Sequence, residues 1–332
     1  MPLGRPSRAA IHSRLASEIR DLRERLGGLP SPEEAEGIWK DIWHFEAHSS
    51  TALEGNTLVL REVETLLSEG RAIGNKELKD YLEVRGYAAA AQWVYGQALS
   101  HGDWTADGLL TVTEVREVHR RAMTPVWEVA PHPDATEAER PGNFRRHNIH
   151  PFGGGMTPPD FTEIAARLSD WVAAAGQLEA DARPIAVAIA GHHSAFERLH
   201  PFLDGNGRTG RLIMNLVLVR LGYPPAIIQL RDRARYLRAL DRADHGDPDP
   251  LGELIARSLL DNLTRFVLPA IAGPARLVPL DALATPDLSH IALRAAAERG
   301  RLRAMRGTDG LWRSSRLWVD DYARSRYKRR PA

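Results

Sequence analysis

Cysteine is absent from the 332-residue chain. That excludes disulfides, thiolate nucleophiles and sulfur-ligated zinc, suits a reducing cytoplasm, and leaves any metal to oxygen or imidazole ligands. No uninterrupted apolar run approaches the ~18 residues of a membrane span, and the arginine-bearing residues 1–10 lead into no apolar signal core. A cytoplasmic chain with no membrane partner is therefore expected. An excess of either charge is also missing, at 44 Lys+Arg against 43 Asp+Glu. Strand-forming runs are scarce. What remains is a chain with 43% hydrophobic residues, enough to bury a sizeable core in more than one domain.

The near-zero net charge hides an asymmetry: residues 289–332 carry 12 Lys+Arg against 4 Asp+Glu, so the rest of the chain is net acidic. A basic tail points to an anionic partner, nucleic acid first. Helical periodicity fills most of the remainder, over Arg8 to Leu26 and near 60–70, 75–99, 108–123, 159–175, 183–199, 207–221, 232–243 and 249–267. Ser31-Pro-Glu-Glu34 reads as a further helix start with a capping box. Gly142 to Gly155 is the best hairpin candidate. Leu268 to Pro274 breaks helix twice and reads as a linker. The domain reading is a helical region over 1–110, a core over 111–267, a linker over 268–277 and a basic domain over 278–332.

The densest chemistry is His200-Pro-Phe-Leu-Asp-Gly-Asn-Gly-Arg-Thr-Gly-Arg211. A helix ends before Pro201 and another begins near Gly207, which places Gly205-Asn206-Gly207 at a helix N-terminus. Glycines that accept φ > 0 turn backbone N–H groups to one point, and the helix dipole adds positive charge, so the turn is an anion cradle. Arg208 and Arg211, three apart, present forked guanidiniums to one polyphosphate. Asp204 is a hard oxygen ligand suited to Mg2+ on phosphates. His200 is the candidate base, since imidazole titrates near ~6.5. Phe202 is expected in the core. Gly205 to Gly210 is also a literal GxGxxG with Asp232 about twenty residues on, but the preceding Phe196 to Asp204 is charged and proline-broken where a dinucleotide fold requires a buried strand.

His200 to Arg211 resembles the full signature of the Fic (filamentation induced by cyclic AMP) family. The resemblance implies a mainly α Fic-type bundle with a β-hairpin flap, ATP and Mg2+, and transfer of AMP to a Ser, Thr or Tyr hydroxyl of a protein target. It assigns proton abstraction to His200, Mg2+ to Asp204, the α/β-phosphates to Gly205, Asn206 and Gly207, support of the triphosphate to Arg208, and the γ-phosphate to Arg211. Upstream, Ser50-Thr-Ala-Leu-Glu54-Gly-Asn56 resembles the family's inhibitory motif, in which the glutamate pairs with the second signature arginine. Low basal activity follows from that resemblance.

Other readings carry less. Gly142 to Gly155 resembles the family's flap, with Arg145 and His147 as candidates for registering a target, and Tyr236 resembles a tyrosine bordering the nucleotide. His44 and His48, at i,i+4 around Glu46, have metal spacing but no third ligand and read as structural. One of His192 and His193 is expected beneath the signature. In the tail, Leu277 to Ala284 and Ser289 to Gly300 read as helix-turn-helix, Arg301 to Arg316 as a wing and Trp318 to Tyr322 as a closing helix, a pattern resembling excisionase-like or MerR-like winged helices that bind DNA. The favoured function is an autoinhibited protein adenylyltransferase; the alternatives are a de-adenylylase in which Glu54 orients water, or a nucleotide-sensing DNA-binding regulator. A homo-oligomer is left open.

Overall fold

The computed structural model describes residues 6–26, 28–30, 36–99, 108–150, 156–271, 277–306 and 310–326. The helices in chain order are α1 (Arg8–Leu26), α2 (Glu36–Leu53), α3 (Leu60–Glu69), α4 (Leu78–Leu99), α5 (Val112–Trp127), α6 (Ile164–Ala175), α7 (Ile185–Leu199), α8 (Asn206–Arg220), α9 (Arg233–Asp244), α10 (Asp249–Asn262), α11 (Leu268–Ile271), α12 (His290–Glu298) and α13 (Arg316–Arg326). The periodicity thus locates nearly every helix to within a few residues. The start expected over Ser31 to Glu34 lies outside the described residues.

Contacts divide the chain into two compact units, one taking residues up to His12 and Ser31–Leu259, the other Ser13–Pro30 and Leu260–Ala332. No contact boundary falls at 110/111, because α4 and α5 pack along each other. The change of unit comes ahead of the expected 268–277 linker. Pro269 does not interrupt the chain there: residues 249–271 run as one continuous helix, which widens to a π turn over Leu263–Val267 just before the proline. Residues 272–276 lie outside the described residues.

In the first unit α8 is the central helix, buried from Arg208 through Val219 and packed against α4, α5 and α7. A helix buried all round must pair its own polar groups. Arg220 does so against Glu114 at 2.6 Å, with side-chain exposures of 1% and 0%. Glu114 also closes the capping box of α5, accepting from the Thr111 N–H at 2.9 Å. Asn215 donates to the buried Glu46 carboxylate of α2 at 2.8 Å and accepts from the Ala226 N–H at 2.8 Å. Tyr87, at 2.8 Å, and Tyr95 of α4 donate to the same carboxylate.

The second unit holds an antiparallel sheet of three short strands in the order β1 (Val278–Pro279), β3 (Trp312–Ser314), β2 (Met305–Arg306), with α12 and α13. The antiparallel β2–β3 pair falls within Arg301 to Arg316, where a wing is expected, and Ser289 caps α12 by accepting from the Ala292 N–H. The first helix of the expected helix-turn-helix is shorter than anticipated: Leu277 to Ala284 is strand β1 followed by a single 3-10 turn, Leu280–Leu283. Pro279, without an N–H and at its N-cap, ends the strand and starts that turn.

Candidate active site

The signature folds as a loop between α7 and α8. His200 closes α7 in the left-handed region, φ 46°, the sole non-glycine there among the described residues. Strain of that kind persists only where surroundings fix it. Here the Arg145 Nε donates to the His200 carbonyl at 2.9 Å, the Arg145 N–H to the Pro201 carbonyl at 3.0 Å, and the Arg145 guanidinium to the Pro159 carbonyl at 2.6 Å. On the far side Phe202 is fully buried and stacks on His119 at 3.7 Å.

These contacts set the imidazole's tautomer. His200 Nδ1 lies 3.0 Å from the Glu197 carbonyl oxygen, which can only accept, so Nδ1 carries the proton and Nε2 is the basic nitrogen. Burial lowers the pKa of His200, with the Glu197 hydrogen bond opposing, so the ring is neutral near pH 7.

Gly205 caps α8 at φ 78°, a conformation open to glycine, and its N–H donates to Asp204 Oδ1 at 2.6 Å. The Asn206 side chain ties the loop shut, accepting from the Phe202 N–H at 2.9 Å and donating to the Phe202 carbonyl at 2.8 Å. What residue 206 offers a ligand is its main-chain N–H at the start of α8, with those of Gly207 and Arg208 in the same first turn. Arg208 lies between Asp204 Oδ1 and Glu83 Oε1, each at 3.2 Å. Asp204 keeps a half-exposed carboxylate, held below its ordinary pKa: burial works against this, but Arg208 and the Gly205 N–H outweigh it.

Arg211 is buried and held by the end of α2 and the residue that follows it. It donates to Ser50 Oγ at 2.7 Å, the Ser50 carbonyl at 3.0 Å and Glu54 Oε1 at 2.6 Å. The same Glu54 oxygen sits over the first turn of α8, only 2.5 Å from where a Cβ on Gly207 would stand. A carboxylate of the protein itself therefore lies on Arg211 and against Gly207 at the start of α8. Burial would raise the pKa of Glu54, but the charge and hydrogen bond of Arg211 prevail and lower it.

A cavity of ≈ 390 Å³ opens beside this pair, lined among others by Glu197, His200, Gly207, Arg211, Tyr236 and Leu237. Tyr236 is buried, with its hydroxyl 2.7 Å from His193 Nε2, so it both packs and borders the cavity. His193 is thus the histidine beneath the signature. His192 stacks on Trp171 instead. A larger cavity of ≈ 490 Å³, on the side of α7 that carries Arg198, contains no residue of the 200–211 loop.

The structure therefore brings Ser50, Glu54, His200 and the 204–211 residues together. It does not bring a flap hairpin: residues 142–150 form no strand, and 151–155 lie outside the described residues. Arg145 is buried, pinning the His200 loop rather than facing a target, and His147 pairs with Glu139 at 2.9 Å. His44 is buried and His48 half-buried, with no group of three metal-binding side chains among the described residues. The sequence reading missed His119. Its Nδ1 accepts from the Gly142 N–H at 2.8 Å, so its Nε2 donates to the Asp204 carbonyl at 2.9 Å and fixes the metal-ligand candidate from behind. Its only sequence signal was a lone histidine on the apolar face of α5. Glu197, which lines the same cavity, was also missed.

A mostly helical bundle with this loop is a Fic-type domain, and residues 109–218 match the model of the Fic/DOC family. Residues 109–218 are thus a Fic/DOC-family domain within the chain. The chain is similar to the protein adenylyltransferase Fic of Drosophila willistoni, 30% identical over 65% of this chain and 40% of that protein. It is likewise similar to the protein adenylyltransferase fic-1 of Caenorhabditis elegans, 28% identical over 88% of this chain and 55% of that one. The chain thus spans about half the length of the curated relatives it matches. Among solved structures, C. elegans Fic-1 superposes with a TM-score of 0.61 at 27% identity, covering 76% of this chain and 71% of that one. A Fic-domain signaling protein of Bacteroides thetaiotaomicron gives 0.62 at 25%, covering 79% and 96%.

Proposed function

We propose that the chain is a protein adenylyltransferase, transferring AMP from ATP to a hydroxyl side chain of a protein target, and that Glu54 restrains it. The observation that carries this reading is one arrangement: the basic Nε2 of His200 and the buried Arg211 line one cavity, with the carboxylate of Glu54 seated on that arginine and close to Gly207 in the first turn of α8. A site that holds a carboxylate in this way suits a phosphate of the same charge. The relatives named above support adenylyl transfer in particular.

In the forward reaction His200 Nε2 takes the proton of the target hydroxyl as its oxygen bonds to the α-phosphorus. The bond to the β-phosphate oxygen breaks and pyrophosphate leaves. Arg211 and Arg208 offset charge on the phosphates, as do the first-turn N–H groups of α8. Asp204 fits Mg2+: it is a half-exposed hard-oxygen donor beside the cradle, with the remaining ligands left to phosphate and water. When bound, that ion would neutralise phosphate charge and orient the leaving pyrophosphate. Glu54 must leave Arg211 before a γ-phosphate can take its place.

The test uses wild type, Glu54→Gly and Glu54→Gly/His200→Ala with Mg2+ and α- or γ-labelled ATP in cell lysate. Label from the α-phosphate alone, strongest in Glu54→Gly and absent without His200, is expected. Label from the γ-phosphate would indicate phosphotransfer. If neither label transfers, the same proteins are given an adenylylated target, where release of AMP that needs Glu54 would favour the reverse reaction.

For the basic second unit the reading is DNA binding through α12 and the β2–β3 wing. Arg294, Arg301 and Arg303 stand on or between these elements, although Arg294 pairs with Glu298 and Arg303 lies over the Trp318 ring. Binding that weakens steeply from low to moderate salt is expected; no binding at low salt refutes it. The cytoplasm remains the proposed location.

A further inference from the structure

Glu197 is a carboxyl that the mechanism above does not use. It stands on the last turn of α7, three residues before the base, and reaches across to α8, where a Cβ on Gly210 would meet its Oε1 at 2.4 Å. That oxygen is buried, and no hydrogen bond reaches it among the described residues. The side chain also lines the cavity that contains Arg211.

The charges around it are few. From α8 comes Arg211, from just past α2 Glu54, from α7 His193 and His200, and from α9 Tyr236 and Arg233, with the carboxylates of Asp241 and Asp244 further along the same cavity wall. Burial lowers the pKa of His193 to about 3, so at 3.8 Å from Glu197 it is neutral and pairs with no carboxylate charge. Tyr236 is held neutral by burial as well. Arg233 Nε is engaged by the Leu53 carbonyl at 2.8 Å. One guanidinium therefore stands between two carboxylates, and Glu54 holds it at 2.6 Å. Two anions sharing one cation in a buried site are not both ionised without cost, and the one lacking hydrogen-bond donors keeps its proton.

We propose that Glu197 is a proton-carrying residue of the nucleotide pocket, so that seating a polyphosphate on Arg211 takes up a proton at Glu197. This rests on the nucleotide reading above. Burial pushes the Glu197 carboxyl up to about 7, with Arg211 opposing and Glu54 adding to the rise. When a γ-phosphate replaces Glu54, more than one negative charge arrives beside the same carboxyl. Its ionised form then repels the ligand, while its protonated form adds no charge. Glu197 thus acts on binding rather than on the proton transfer at His200.

The experiment is calorimetric titration of Mg-ATP into Glu54→Gly/His200→Ala at pH 8, in two buffers of different ionisation enthalpy, with and without Glu197→Gln. The background abolishes transfer and removes His200 as a titrating group. With Glu197 present, uptake of roughly half to one proton per ATP more than in the Glu197→Gln protein is expected. Across rising pH the affinity should fall up to about tenfold per unit with Glu197 present, and less in its absence. Equal proton counts overturn the proposal while leaving the nucleotide reading intact. No binding heat in any protein overturns both. Should Glu197→Gln fail to fold, Glu197→Leu, which fills the site without a titrating group, gives the same comparison.

Discussion

Replacing Glu54 with glycine isolates the competition at Arg211. Glu54 follows the last residue of α2 and its side chain is 40% exposed, so the change removes a carboxylate without cutting a helix. A charge-assisted bond at the observed 2.6 Å contributes ~1.5–3 kcal/mol when shielded from water. Solvent screening at this exposure discounts that to ~1–1.5 kcal/mol, which is ~5- to 15-fold in competition with phosphate. Mg-ATP should bind Glu54→Gly about tenfold more tightly than wild type by calorimetry, with α-label transfer at subsaturating ATP rising at least as much. Glu54→Gln, which keeps a hydrogen bond but no charge, should fall between. Thermal unfolding provides the internal control. Arg211 retains Ser50 but loses its counterion, so the ligand-free variant should be destabilised by ~1–3 kcal/mol. Mg-ATP at 100 times its Kd should restore ~2.7 kcal/mol. Equal ATP affinity in the three proteins, within twofold, would refute the idea that Glu54 and phosphate compete for Arg211.

His200→Ala in the Glu54→Gly background should abolish transfer yet leave ATP affinity within a few-fold, as equilibrium binding would show. The acid limb of the transfer rate should lie below ~6.5, because burial lowers the pKa of His200 and the neutral ring is the active form. His119, lowered to about 4 by burial, is neutral in the fold and charged in the unfolded chain between these pH values. The unfolded state then binds more protons, so stability is lost as pH falls from ~6.5 to ~4. His119→Gln should flatten that slope by up to about 3 kcal/mol in denaturant unfolding. Glu114→Ala leaves Arg220 buried without its carboxylate and should cost ~3–5 kcal/mol, seen as a lower denaturation midpoint.

The sequence was legible where one period or one short motif decides the structure. Helix limits follow from apolar spacing, and the 200–211 loop from its glycines and Pro201. Residues brought together by packing were not legible. Nothing near Glu46 in the sequence foretells that Tyr87, Tyr95 and Asn215 converge on it, and Arg145 reads as a flap residue until the His200 carbonyl is seen to need a donor. The expected hairpin over 142–155 failed in its described part for the same reason: Arg116 and His119 take up the carbonyl and the N–H of Gly142 that a strand partner would have used.

The buried contacts also decide how inhibition can be relieved. On α2 the polar residues Glu46 and Ser50 fall four apart, with Glu54 four further on; on α8, Arg211 and Asn215 are likewise four apart. Glu46 meets Asn215, and Ser50 and Glu54 meet Arg211, so the two helices are held in one register. Sliding α2 would strip a buried carboxylate of three donors, at several kcal/mol, more than the Glu54 contact itself contributes. Rotating the half-exposed Glu54 side chain costs only its own bond to Arg211. Relief by side-chain rotation on a fixed helix is therefore the cheaper path, and hydrogen exchange in residues 40–53 should be the same with and without saturating Mg-ATP. Accelerated exchange there would show that the helix, not the side chain, moves.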